Sequence, residues 1–267
     1  MRRLWLAILA LVISATPASA DLEIENVQAA LGRLGPERKS TEYYPGDEVY
    51  FRYLVTGAGV DEVGKVDCSL AVDLTGPDGK TIATQSYLAQ GILAIGGASF
   101  PGSASMVLPD KSAPGPYKLS VKIKDKQQNE EASFERILKV LPPDFAIITP
   151  RFSYDRAGKI DAPPGGTVDQ TLFVRLRAIG FDRSRERIDT EMNIRVLDQD
   201  GKEVLINPIR TKLEVDDAEI VKQAQFLDFR GELFLNRPGD FILSVAVIDW
   251  IAKKTIKFET PLRIVPP

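Results

Sequence analysis

A Pro-Gly turn followed by an aromatic residue and alternating aliphatics occurs twice in this chain. The first copy runs from Pro114 to Asp125 and places Tyr117, Leu119, Val121 and Ile123 at two-residue spacing. The second runs from Pro238 to Asp249, 124 residues later, and places Phe241, Leu243, Val245 and Val247 in the same way. A period of two is that of a strand with one buried face, so a single β-fold used twice is expected.

The repeat extends beyond one strand. Val66, Leu70, Val72 and Leu74 match Ile188, Met192, Ile194 and Val196 at an offset of 122, and turns at Asp78-Gly79 and Asp200-Gly201 keep that offset. The last strand of each copy agrees again at 124, with Phe134, Leu138 and Val140 opposite Phe258, Leu262 and Ile264. Other expected strands include Glu48 to Val55 and Leu172 to Ala178. Residues 85–102 lose the alternation and hold Gly91, Gly96, Gly97 and Gly102. They are expected to form an apolar loop across the open end of a sandwich, with an exposed contact surface as the alternative. Asp216 to Gln225 has room for one helical turn or two.

Ahead of the repeat, Arg2 and Arg3 precede the apolar run from Leu4 to Ile13, and Ala18-Ser19-Ala20 supplies small residues. This is the pattern of a secretory signal peptide, expected to be cleaved after residue 20. The domains are then 21–142 and 143–267, joined at Leu141-Pro142-Pro143-Asp144, whose prolines restrict the backbone toward extended geometry. No later segment is long and apolar enough for a transmembrane helix, and a periplasmic or secreted location is expected. Without Arg2 and Arg3, the 34 basic residues fall to 32 against 37 acidic ones, a net charge of −5 that gives no support to nucleic-acid binding.

The chain contains no histidine and one cysteine. His-based triads and metal sites are therefore excluded, as is an intrachain disulfide. Cys68 lies in phase with apolar neighbours and reads as a small buried hydrophobe. Asp198-x-Asp200-Gly201 has calcium-like spacing, but position twelve is Ile209 where a glutamate would complete the loop, and a β-turn is the simpler account. No Gly-x-Ser-x-Gly elbow is present. No catalytic residue, metal or cofactor is expected, and the chain reads as a non-enzyme.

Together, the paired Pro-Gly-aromatic strands and Asp-Gly turns resemble tandem immunoglobulin-like or fibronectin-type-III-like domains, including macroglobulin-like bacterial β-sandwiches. The resemblance implies an all-β chain of two antiparallel sandwiches. In related sandwiches an aromatic hydroxyl at the start of the penultimate strand locks a corner; Tyr117 supplies one and Phe241 does not. Paired cysteines of the antibody type are absent.

Two surfaces distinguish the copies. Lys118, Ser120, Lys122 and Lys124 on one penultimate strand become Ile242, Ser244, Ala246 and Ile248 on the other, followed by Trp250 and Ile251. Ile242, Ala246, Ile248, Trp250 and Ile251 are thus candidates for binding a partner, unless a loop or the first domain covers them. Arg175, Arg177, Arg183, Arg185 and Arg187 are candidates for an anionic ligand, although Asp182, Glu186 and Asp189 interleave with them. The expected function is an exported structural or protein-interaction module of the cell envelope, with an envelope or extracellular protein, or a glycan, as partner. The alternatives are a carbohydrate-binding module centred on Trp250 and a two-domain periplasmic chaperone, which would need a basic pair in the interdomain cleft and an open sheet edge.

Overall fold

Alternating burial divides the chain into sixteen strands and one short helix in a computed structural model that describes residues 21–267. The expected signal peptide lies outside the described residues. In the N-terminal half, β1 (Glu23–Ala29), β3 (Glu48–Thr56) and β6 (Phe100–Val107) form a three-stranded sheet ordered β1-β3-β6. The strands β2 (Glu42–Tyr43), β4 (Lys65–Thr75), β5 (Thr81–Ile92), β7 (Gly115–Asp125) and β8 (Glu131–Val140) form a five-stranded sheet ordered β2-β8-β7-β4-β5.

The C-terminal half repeats this plan strand for strand. Its three-stranded sheet orders β9 (Ala146–Ser153), β11 (Thr171–Ile179) and β14 (Phe226–Phe234) as β14-β11-β9. Its five-stranded sheet contains β10 (Gly165–Thr167), β12 (Ile188–Leu197), β13 (Ile209–Val215), β15 (Gly239–Asp249) and β16 (Lys254–Val265), ordered β10-β16-β15-β12-β13. Among the described residues only the short β2 and β10 pair in parallel, with β8 and β16.

Each half has its own core, filled from both of its sheets. In the first, Val49, Phe51, Tyr53 and Val55 of β3 face Leu119, Val121 and Ile123 of β7 and Phe134 of β8. Phe134 meets the Phe51 and Tyr53 rings edge-on, at centroid separations of 5.9 and 5.5 Å. In the second, Leu172, Val174 and Leu176 of β11 face Leu243, Val245 and Val247 of β15. Cys68 is fully buried, and burial pushes its thiol pKa up to about 11, which makes it an unreactive core residue.

The repeated strand ends in a buried aspartate with a fixed task. Asp125 Oδ1 accepts from the Gln127 and Gln128 N–H groups and its Oδ2 from Gly59 N–H; Asp249 accepts from Ile251, Ala252 and Asp182 in the same pattern. Tyr117 also makes the corner bond, its hydroxyl donating to the Ala113 carbonyl at 2.9 Å. Asp198 Oδ1 accepts from Asp200 and Lys202 N–H, so this carboxylate shapes a turn.

The halves meet at a small seam. Tyr44 packs on Ala146, Ile148 and Ile179, and Asp47 Oδ1 accepts from Thr149 N–H at 3.2 Å. Asp47 is itself buried and paired with Arg38 at 2.8 Å. Arg151 pairs with Glu48 across the seam, yet burial outweighs this pairing and holds the Glu48 carboxyl above its usual range.

Candidate interaction surface

The segment expected to be a loop is the most distinctive surface of the molecule. Residues 81–92 form β5, the longest strand of its sheet and a free edge, and residues 100–107 form β6, a free edge of the opposing sheet. The correction has a physical basis. One face of β5 borders solvent and the other borders a gap, so the strand shows no apolar alternation. Its burial pattern contains no fully buried residue.

From Thr81 to Pro109 the chain carries no Asp, Glu, Lys or Arg, although 27% of all residues are charged. Both edges and the turn between them lie in this stretch. Exported and cytosolic proteins alike blunt free edges with charge, and an uncharged long edge invites pairing. Ile82, Tyr87, Leu88 and Ile92 of β5 are all exposed, and Ile95 in the turn is fully so.

Between β5 and β6 lies an apolar cleft of about 430 Å³ that reaches into the space between the sheets. Tyr53, Leu70, Tyr87, Ala89, Phe100 and Ile123 are among its lining residues. Gly102 allows the Tyr53 ring to form one wall: a Cβ on this glycine would stand 2.1 Å from Tyr53 Cε2.

The second half supplies an internal control. Its edges β13 and β14 carry Arg210, Lys212 and Glu214, and Asp228, Arg230 and Glu232. The connection between them contains helix α1 (Ala218–Gln223), capped by Asp217, which inserts Val221 into the core. Thr211 Oγ1 donates to the Arg230 carbonyl at 3.0 Å and ties the two edges together. The same opening is therefore plugged and charged in one copy, and apolar and open in the other.

The apolar stripe of β15 is partly covered. Ile242, Ala246 and Ile248 lie on the outer face of β15 but are half-buried, shielded by side chains of the flanking strands. Ala246 and Ile248 line a depression of about 400 Å³ together with Asn193, Arg195, Glu203, Lys257 and Glu259, so the apolar floor has polar walls. Trp250 is half exposed on the following turn and Ile251 is half-buried beside it.

The five arginines are not one cluster. Arg175 and Arg177 project from β11 into a cleft of about 330 Å³ at the seam, lined also by Glu48, Arg151, Asp228 and Arg230. Arg177 pairs with Asp228 at 2.9 Å and stacks on Phe226, and Arg175 donates to the Arg156 carbonyl. Arg183, Arg185 and Arg187 lie in the β11–β12 connection, where Arg183 donates to the Ala224 carbonyl and Arg187 pairs with Asp189 and Asp216. Strand pairing and loop capping separate what the sequence places together. Register adds Arg151 and Arg230, each directly opposite Arg175 on the neighbouring strands.

Among the described residues no group of three or more His, Cys, Asp or Glu side chains is arranged to hold a metal, and no helix is long and apolar enough to cross a membrane. No family model and no curated protein matches the chain. Among solved structures it is similar to red sea bream transglutaminase, at 10% identity and a TM-score of 0.28 over 92% of this chain and 31% of that one. It is also similar to the C-terminal domain of wzt, at 15% identity and a TM-score of 0.33 over 46% of this chain and 75% of that one. A third likeness is to the C-terminal domain of the Streptococcus agalactiae AgI/II polypeptide BspA, at 9% identity and a TM-score of 0.29 over 91% and 99% of the two chains. The chain spans about a third of the transglutaminase, and what stands is a predominantly β, multi-sheet architecture carrying an internal repeat.

Proposed function

We propose that this chain is an exported, non-enzymatic interaction module of the cell envelope, built from two immunoglobulin-like domains, and that its first domain binds a protein partner through the uncharged β5–β6 side. The observation that carries this reading is the contrast between two copies of one fold. In the copy with charged, bridged edges Val221 of α1 fills the opening between those edges, whereas the copy with uncharged edges leaves an apolar cleft open there. Exposed apolar surface beside an unpaired strand is an association hazard that a binding role accounts for. The immunoglobulin-like reading draws on the repeated three-plus-five strand order and on the Tyr117 corner. Export draws on the amino-terminal pattern alone. The glycan alternative centred on Trp250 has less support, because this indole lies on a turn and is not among the residues lining the neighbouring depression.

Photo-crosslinking in intact cells tests this function. A photoreactive residue is placed at Leu88 or Ile92, as a control at Lys212 of the second half, and in separate variants at Ile248 or Trp250 of the β15 side. A discrete protein adduct is expected from the first two positions and not from the third. Adducts from Ile248 or Trp250 alone would move the interaction to the β15 face and sink the proposal.

A further inference from the structure

We infer that the partner binds as an added β-strand: an extended, uncharged segment of another protein, with apolar residues at alternate positions, pairs with β5 and sends those side chains into the cleft. This inference rests on the proposed partner-binding role of the same surface and names the mode and the class of partner.

The backbone defines the available ladder. Leu93 N–H donates to the Gly64 carbonyl and Lys126 N–H to the Asp67 carbonyl, on opposite sides of β4. Residues of an antiparallel strand direct their N–H and C=O groups to alternate sides. In the observed registers, Cys68, Leu70 and Val72 therefore bond to Ala89, Tyr87 and Gln85 of β5, while Ser69, Ala71 and Asp73 bond to β7. Thr84, Ser86, Leu88 and Gln90 are left with N–H and C=O groups at the free edge. That edge offers a ready ladder for another strand.

Side chains and charge narrow the occupant. Ala83 and Ala89 face the core side, so a strand beside β5 directs every second side chain into the gap between the sheets. The cleft of about 430 Å³ has room for more than one apolar side chain, and its walls offer no charged partner. A segment with charged residues at the inward positions would bury them unpaired, which is strongly unfavourable. A second copy of this chain fits less well. Its own β5 arrives attached to a sheet and presents one edge, whereas the cleft lies between two free edges, β5 and β6.

The test uses a fluorescein-labelled octapeptide alternating Thr or Ser with Val or Leu, its fully N-methylated analogue, and a version with Glu at the Val and Leu positions. Anisotropy measures binding to the exported protein, and amide hydrogen exchange locates it. The unmodified peptide is expected to bind at least about tenfold more tightly than the other two, since tenfold corresponds to 1.4 kcal/mol, within reach of a few ladder bonds. Exchange should slow at Thr84, Ser86, Leu88 and Gln90 and stay unchanged in 209–215. Ser86→Pro, which removes an edge-facing N–H and no internal ladder bond, should weaken binding while thermal stability holds.

Equal binding of the N-methylated peptide would overturn strand addition and leave the crosslinking result for the surface untouched. Absence of binding by the unmodified peptide up to millimolar concentration would also overturn it. So would protection of the same four amides in the protein alone, rising with concentration alongside a dimeric mass, which would make a second copy the occupant.

Discussion

Asp125 and Asp249 show what a single side chain contributes to this fold. Each carboxylate gathers three backbone N–H groups, two from the following hairpin and one from the connection after the second long strand of its half. Asp249→Ala would leave the Asp182, Ile251 and Ala252 donors without their acceptor, and hydrogen bonds to a charged group are worth about 1.5–3 kcal/mol each. Because solvent replaces part of that loss, a destabilisation of roughly 3 kcal/mol is expected in urea titration, and Asp125→Ala should match it. A change below about 1 kcal/mol would remove the structural role assigned here. The opening strands carry a second paired feature. Asn26 and Thr149 each interrupt strand register at positive φ, 53° and 49°. Asparagine tolerates this region and a β-branched threonine does not. The Thr149 contact to Asp47 uses its backbone N–H, so Thr149→Asn keeps the contact and should stabilise on the order of 1 kcal/mol. The expected readout is a rise of a few degrees in Tm.

At the level of strands, the alternation of β5 makes a prediction that needs no partner. Ser86→Pro removes an N–H that faces the free edge, whereas Gln85→Pro removes one that bonds to Val72. The first should leave the denaturation midpoint nearly unchanged and the second should lower it clearly; the reverse order would show that the ladder is out of phase by one residue. The same strand marks where the sequence was hard to read. Strands buried on one face, such as Val49 to Val55 or Phe241 to Val247, alternate and were legible at once. Residues 81–92 do not, because an edge strand beside an open cleft has no fully buried face to impose the period. The charge-free run from Thr81 to Pro109 was a signal in plain view, but its meaning depends on both edges coming from it. Likewise Arg175 and Arg177 could be named from sequence, whereas Arg151 and Arg230 join them only through register. The half-burial of Ala246 and Ile248 was not readable either, since they share a depression with Asn193, Arg195, Lys257 and Glu259 of neighbouring strands.

For the whole molecule the decisive question is how firmly the halves are joined. The Pro142-Pro143 connection is short, and the seam beyond it includes Tyr44 on three aliphatic residues, one bond from Thr149 to Asp47, and an ion pair from Arg151 to Glu48. Glu48 gives this seam a pH dependence of known sign. Its carboxyl is raised in the folded protein, mainly by burial, so the stability it contributes is full below its usual value of 4.5 and is lost as pH rises through the folded value. Glu48→Gln should remove that dependence and leave stability at neutral pH equal or higher. Asp47 acts differently, because it pairs with the mostly buried Arg38 and holds Thr149 at the same time. Asp47→Ala leaves the guanidinium without its carboxylate, a loss of roughly 3–5 kcal/mol for a buried pair. That cost falls on the first half, where Arg38 and Asp47 both reside. Calorimetry of Asp47→Ala should therefore resolve two transitions, the earlier one from the first half and the later one close to the wild-type position. If both halves still unfold in a single transition displaced as a unit, the seam transmits stability far beyond the contacts that form it, and the halves behave as one cooperative body.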